Sequence, residues 1–516
     1  MESWKPSRLL QIDSSQKVVY LIETRHRPVY MTLSHCWGKK STFKLTKTSQ
    51  SDLKGGIPIT RLPQTYADAV KIVVMLGVDY IWIDSLCILQ DSKEDWDKEA
   101  AQMSMVYQNS FCNIAALDAE DSHSGIFAAR DPSILEPLII TSKWVNTPPL
   151  RWSTKHRRID ADSSFVIDSS LIHQRAWVLQ ERMLAPRTLH FGRKQLYWEC
   201  RESIASETLP MKSHPSWWNG PFVVMPTSTT TNPENILSLW NSLVRKYSHC
   251  NLTYITDKLV AVSGLGKEIR KALTLCTQGT SLDTMYLAGL WRFRLESQLL
   301  WTRSVQTPLK PRPKEYIAPT WSWASVDSGV ETHPVTQENK ISVHLAVVKA
   351  ATISSPINDE FVRVSEGELQ VEAALWELVS LDRKEHRLQI RLDWDIDDTA
   401  LATLSATLFL MPVVLELGTD TPEEALSLGV FRGLVLRATR QRNFERVGRF
   451  DVVLFKDRVT SANFDHLQGN RRGCIQFLGV SLHEQGNISL RHHVSPTGPV
   501  EKQVECLLEV FSIVLV

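Results

Sequence analysis

Strand-like and helix-like segments take turns through the first 200 residues. Val29-Tyr-Met-Thr-Leu-Ser34 is β-branched and apolar enough for a buried strand. Gln64 to Leu76 places Tyr66, Ala69, Val70, Val73 and Val74 on one helical face, with Pro63 near its start and Gly77 where a C-terminal cap belongs. Tyr80-Ile-Trp-Ile83 reads as a short apolar strand running into Asp84-Ser-Leu-Cys87, and the spacing of Trp96, Ala100, Met103 and Tyr107 is helical again. Phe111 to Leu117 supplies a third strand. After a longer irregular stretch, Arg175 to Leu184 reads as a helix, followed by strands at Thr188 to Phe191 and Gln195 to Cys200. This βαβαβ…αβ order predicts an α/β fold: a mostly parallel sheet with helices on both faces, in which 29–34, 80–84 and 111–116 are parallel neighbours.

The pattern changes beyond residue 330. Lys340 to Val348, Glu368 to Ala373, Arg387 to Leu392, Phe450 to Phe455, Cys474 to Val480 and Val504 to Val516 alternate as strands do, which predicts a β-rich C-terminal module. Tryptophan usage draws the same line, since 15 of the 17 lie at or before Trp323. Pro226 to Pro233 is polar without periodicity and Thr307 to Pro313 is held extended by its prolines, so both read as linkers or surface loops. The resulting divisions are an N-terminal extension (1–27), the α/β domain with its flanking strands (28–225), an α-rich middle region (234–330) and the β-rich module (331–516).

With 516 residues, 43% hydrophobic and 22% charged, the chain has ordinary globular composition and can bury large cores without disulfide or metal staples. A formal charge of +1 leaves no positive excess to drive binding to nucleic acid or anionic lipid. Eight cysteines stand singly, without metal-ligand spacing, and no basic-then-apolar signal precedes them, which predicts free thiols in the cytoplasm. Ala400 to Leu415 is short for a membrane span and reads as buried core.

In a parallel sheet, ligands bind beyond the carboxyl ends of the strands. Ser34, His35, Cys36, Trp37, Gly38, Asp84, Ser85 and Cys87 all sit at such ends. Each also has a plain structural reading. Asp84 can cap the turn that follows it, His35 can be a hydrogen-bonded core residue, and Trp37 with Gly38 can close the strand-to-loop turn. A nucleophile and base pair of Cys36 or Cys87 with His35 is chemically conceivable, against buried free thiols as the commoner outcome. Ser263-Gly-Leu-Gly-Lys267 lacks the spacing of a phosphate-binding loop, and His492-His493 has no partner ligands at metal spacing.

Tyr30-Met-Thr-Leu-Ser-His-Cys-Trp-Gly38, Leu62-Pro-Gln-Thr through Leu76-Gly77, Trp82-Ile-Asp-Ser-Leu-Cys-Ile88 with Gln90, and Arg175-Ala-Trp-Val-Leu-Gln-Glu-Arg182 together resemble the fungal heterokaryon incompatibility (HET) domain. The resemblance covers about residues 28 to 185. Leu252 to Leu259, Tyr286 to Trp291 and Ala318 to Ser325 are similar to segments that often follow this domain. What the resemblance implies is a role in allorecognition and programmed cell death between incompatible fungal cells. HET domains are in turn similar to TIR domains, which implies a TIR/flavodoxin-like sheet and, as in some TIR branches, cleavage of NAD+ at the nicotinamide glycosidic bond by one helix-borne Glu.

On that analogy Glu181 is the main catalytic candidate, with Asp84, His35 and Cys87 beside it. Ser34, Cys36, Trp37, Gly38, Ser85, Arg175 and Trp177 are the expected substrate contacts. Breaking a ribosyl bond to cationic nicotinamide develops oxocarbenium character, which one carboxylate can stabilise. Nicotinamide leaves readily, so no metal or cofactor is required and NAD+ enters as substrate. Trp177, four residues before Glu181, shares its helical face and can stack on a flat ring or simply fill the core. Two alternatives stand beside this reading: a non-catalytic module that assembles with itself or another incompatibility protein, and a family member recruited to small-molecule metabolism.

Overall fold

The computed structural model describes residues 4–38, 43–130, 139–142, 150–153, 163–207, 232–276, 283–334, 341–356, 359–378, 389–397, 407–417, 427–439, 441, 443–455 and 511–516. These divide into two compact units. The first comprises residues 1–225 with 250–252 and 260–268, the second residues 226–249, 253–259 and 269–516.

The first unit is built in the chain order β1 (Arg8–Asp13), β2 (Val18–Glu23), β3 (Met31–Ser34), α1 (Gln50–Gly55), β4 (Ile57–Pro58), α2 (Gln64–Met75), β5 (Tyr80–Trp82), the single turn α3 (Asp84–Cys87), α4 (Lys93–Gln108) and β6 (Asn113–Ala116). A separate hairpin, β7 (Ile139–Ser142) and β8 (Leu150–Ser153), precedes α5 (Ser163–Ser169), α6 (Ala176–Leu184), β9 (Arg187–Phe191), β10 (Leu196–Cys200) and β11 (Ile204–Ser206). Nine of these strands form one sheet in the order β11-β10-β9-β6-β3-β5-β1-β2-β4.

Its four central strands, β9, β6, β3 and β5, are mutually parallel. The three strands read from the sequence as parallel neighbours are therefore so, with β3 in the middle: Thr32 faces Trp82 on one side and Asn113 on the other. The chain leaves β3 for β5 on one side and then crosses to β6 on the other, so strand order reverses between β3 and β6. That is where a doubly wound sheet opens a crevice at its carboxyl ends. β3 and β6 are buried at every position, as central strands covered on both faces must be.

The antiparallel flanks complete the mixed sheet. Residues 1–27, an extension in the sequence reading, contain the hairpin β1–β2, whose alternating buried positions add it to the edge of β5. In α2, Tyr66, Ala69, Val70 and Val73 are buried and Gly77 takes the left-handed conformation (φ +70°) that ends the helix. Val74, expected on the same face, is 39% exposed and continues into exposed Met75 and Leu76.

In the second unit, α7 (Pro233–Ser248) starts on Asn232, whose side chain accepts from the Glu234 amide at 2.8 Å. Trp240, Trp291, Trp301, Trp321 and Trp323 are all fully buried. The C-terminal strands form a second large sheet that includes Ile341–His344, Leu408–Leu417, Ser427–Ala438, Phe444–Phe455, Phe511–Leu515, Glu366–Ala373 and Val347–Ser354. The β-rich reading holds there; Cys474 to Val480, His492-His493 and the first part of Ala400 to Leu415 lie outside the described residues. Among the described residues no helix is long and apolar enough to cross a membrane.

Candidate functional site

The carboxyl end of β3 is the centre of a polar cluster buried inside the first unit. Ser34 is the last residue of the strand, and its hydroxyl donates to Glu181 Oε2 of α6, 147 residues away. The amide of Asn113 on the neighbouring strand β6 donates to Ser34 Oγ at 3.0 Å, and Thr32 Oγ1 donates to Asn113 Oδ1 at 3.0 Å. The Tyr107 hydroxyl of α4 donates to the Leu33 carbonyl at 3.4 Å, next to Ser34. Glu181 is thus held beside the β3–β6 reversal by Ser34, whose hydroxyl Asn113 braces in turn.

Only 5% of Glu181 is exposed. Burial pushes its carboxyl up to about 7, while the Ser34 bond pulls the other way; Asp84 adds to the rise and Arg175 opposes it. At neutral pH the group sits near half ionisation, where a small change in surroundings decides its charge.

His35, next in the chain, is fully enclosed. Its Nε2 and the Tyr66 hydroxyl of α2 lie 3.0 Å apart, and that hydroxyl accepts from Ser85 Oγ at 2.9 Å. His35 Nδ1 lies 3.9 Å from Asp84 Oδ1 and has no hydrogen-bond partner among the described residues. Burial lowers the imidazole to about 4, against the attraction of Asp84, so His35 is neutral at pH 7. Asp84 accepts the Ser85 amide on Oδ1 at 2.6 Å and the Trp37 indole N–H on Oδ2 at 2.8 Å. Gly38 follows with φ +74°, and a Cβ there would stand 2.2 Å from Asp121 Cβ, so only glycine lets the loop after β3 lie against the loop after β6.

Arg175 is the N-cap residue of α6 and its Nη1 donates to the His35 carbonyl, tying the start of the catalytic-candidate helix to the end of β3. Trp177, half-buried, meets Trp96 edge to face at 6.3 Å between ring centroids. Cys87 is fully enclosed and burial pushes its thiol up to about 12; burial raises Cys36 as well. Neither environment favours a thiolate, and Cys87 makes no pair with His35.

The structure therefore brings Ser34, His35, Trp37, Asp84, Ser85, Arg175 and Glu181 into one bonded neighbourhood. Periodicity placed Tyr66 and Tyr107 on helix faces without marking them for the site and did not single out Asn113; the Tyr66 hydroxyl and the Asn113 amide complete the neighbourhood. The signal for Asn113 was available: an Asn in an otherwise apolar buried strand needs a partner.

On the other side of α6, Arg182 is fully buried and forks onto Glu199 with two bonds of 2.8 Å, and a third reaches Asp168 at 2.6 Å. His190 Nε2 donates to Glu199 at 2.8 Å. Burial pushes the Glu199 carboxyl up, but Arg182 and His190 outweigh it and hold it at about 2. This cluster anchors α6 to β9 and β10.

A third brace comes from α8 (Val260–Cys276). The Ser263 to Lys267 segment lies within this helix, and the Gly264 amide donates to Gln180 Oε1 at 2.7 Å, one residue before Glu181. A Cβ on Gly264 would come within 2.2 Å of Ser104 Cβ and 2.6 Å of Gln180 Oε1. Gly264→Ala is therefore expected to destabilise the first unit by about 1 to 3 kcal/mol through overpacking, despite the better helix propensity of alanine. A thermal midpoint equal to or above that of the wild type would show that α8 does not pack on α4 and α6 at backbone distance.

No group of three or more His, Cys, Asp or Glu side chains among the described residues is arranged to hold a metal ion. No curated protein and no solved structure gives a significant match to the chain. Residues 30–181, from the residue before β3 to Glu181 itself, match the model of the heterokaryon incompatibility protein (HET) family. That span contains every residue of the cluster around Glu181 and supports a role in heterokaryon incompatibility, and residues 30–181 are accordingly a HET domain.

Proposed function

We propose that the HET domain is a latent NAD+ glycohydrolase whose activity drives cell death in an incompatibility response, with Glu181 as its central carboxylate. The observation that carries this reading is the placement of Glu181: a helix-borne carboxyl bonded to the last residue of β3, beside the strand-order reversal where ligands enter such sheets. In the reaction the C–N bond between ribose and nicotinamide breaks and its electron pair leaves with the ring nitrogen. Water then bonds to the ribose carbon and gives up a proton, leaving ADP-ribose. Ionised Glu181 stabilises the positive charge that develops on the ribose, and a single well-placed group of this kind is worth about 10² to 10³ in rate. Asp84 and Trp37, bonded to each other at the same strand ends, are the contacts best placed to orient the substrate.

Latency follows from burial. Glu181, Ser34 and His35 are at most 5% exposed, so substrate reaches the carboxylate only when α6 moves off the end of β3. The same enclosure favours a second reading, in which the cluster is purely structural and the domain acts by assembling with itself or another incompatibility protein. Release of nicotinamide from NAD+ by the purified full chain, before and after assembly is induced, separates the two. Steady NAD+ under both conditions sinks the catalytic reading.

A further inference from the structure

A cleft of about 650 Å³ opens near α1 and the start of α2, with Phe43, Lys44, Arg61, Pro63, Gln64 and His123 among its walls. Among the described residues no carboxylate lines it. Lys44 and Arg61 are exposed, and neither forms an ion pair with another described residue. Both cations line the one concavity, and an anion bound there is attracted by each of them. Arginine presents a planar fork matched to phosphate oxygens and lysine adds a mobile point charge. The twelve-residue helix α2 begins at this wall and adds the positive end of its dipole to the same space. Phe43 supplies a flat apolar surface beside the charges. Lys44 Nζ also stands 6.0 Å from the centre of the Trp37 ring, so the cleft adjoins the loop that carries Trp37 and Gly38.

We infer that this cleft binds a nucleoside diphosphate, with Lys44 and Arg61 on the diphosphate and Phe43 against the base. The volume suits a ligand of that size. The assignment stands on the charges and shape of the cleft and does not depend on which chemistry Glu181 performs.

The test is binding of ADP to the full chain by calorimetry, with inorganic pyrophosphate and adenosine as comparison ligands. ADP has no nicotinamide bond, so its binding is read apart from any NAD+ cleavage. Arg61→Ala and Lys44→Ala are each expected to weaken ADP by about 10- to 100-fold, the loss of one charge-assisted contact. Arg61→Lys should retain part of the affinity, and raising the salt concentration should weaken binding in the wild type. Both exposed side chains can be removed without touching the core, and circular dichroism verifies that the variants fold. Adenosine should bind far more weakly than ADP. No ADP binding up to millimolar concentration, or equal ADP affinity in the wild type and the Lys44→Ala/Arg61→Ala double variant, overturns the inference. Pyrophosphate binding as tightly as ADP overturns the nucleoside part of it.

Discussion

Glu181→Gln is expected to reduce nicotinamide release from NAD+ by about 10² to 10³ while leaving the fold intact, the loss that follows removal of one preorganised electrostatic group. Glutamine keeps the shape of the side chain, and its amide oxygen still accepts the Ser34 hydroxyl, so only the charge disappears. Wild-type release should rise with pH and level off above about 7, because ionising the carboxyl that burial lifts to about 7 in the closed domain favours the open form that admits substrate.

The same shift gives the substitution a stability signature. Between the ordinary value of 4.5 and about 7 the folded chain keeps a proton that the unfolded chain has released, so stability falls as pH rises across that window. The full effect corresponds to roughly 3 kcal/mol. Glu181→Gln escapes this penalty. At pH 8 it should melt above the wild type, and the difference should vanish below about pH 4.5. A variant that loses stability at pH 8 along with activity would mark Glu181 as a structural carboxylate. Protein carrying Glu181→Gln that kills a fungal host as well as the wild type, or killing by the wild type while NAD+ holds steady, would transfer the function to assembly.

How much of this was visible in the sequence depended on the range of the interaction. The strands at 29–34, 80–84 and 111–116 were legible because central parallel strands are apolar at nearly every position and are separated by amphipathic helices. Ser34, His35 and Asp84 could be placed at one edge by topology alone, because right-handed βαβ crossovers bring successive strand ends to the same side. The hairpin β1–β2 was not legible as part of the sheet: β1 joins it through Leu10 and Gln11, whose partners Ile81 and Tyr80 lie about 70 residues on in sequence. Nothing in the periodicity marks Arg182 and Glu199 as partners, because it gives no sign that β9 and β10 will enclose them. The bond from Ser34 to Glu181 was outside any local pattern, since 147 residues separate its partners.

Trp82→Ala is expected to cost the first unit about 3 to 5 kcal/mol, the range for truncating a buried tryptophan. Trp82 ends β5, is 1% exposed and meets Tyr107 edge to face at 5.7 Å between ring centroids. Alanine would leave a void that the flanking strands, β3 parallel on one side and β1 antiparallel on the other, cannot close without disturbing the pairing of β5 with both. The ring also supports Tyr107, whose hydroxyl bonds the Leu33 carbonyl beside Ser34, so the void opens close behind the carboxyl cluster. Trp82→Phe keeps an aromatic edge against Tyr107 and should lose less than half as much. The measurement is the denaturant midpoint of the first unit's transition in the full chain. A lower midpoint with an unchanged slope is the expected result, because a core cavity alters stability without altering the surface exposed on unfolding. An unchanged midpoint would remove β5 from the core, and with it the strand whose end presents Asp84 to His35 and Trp37.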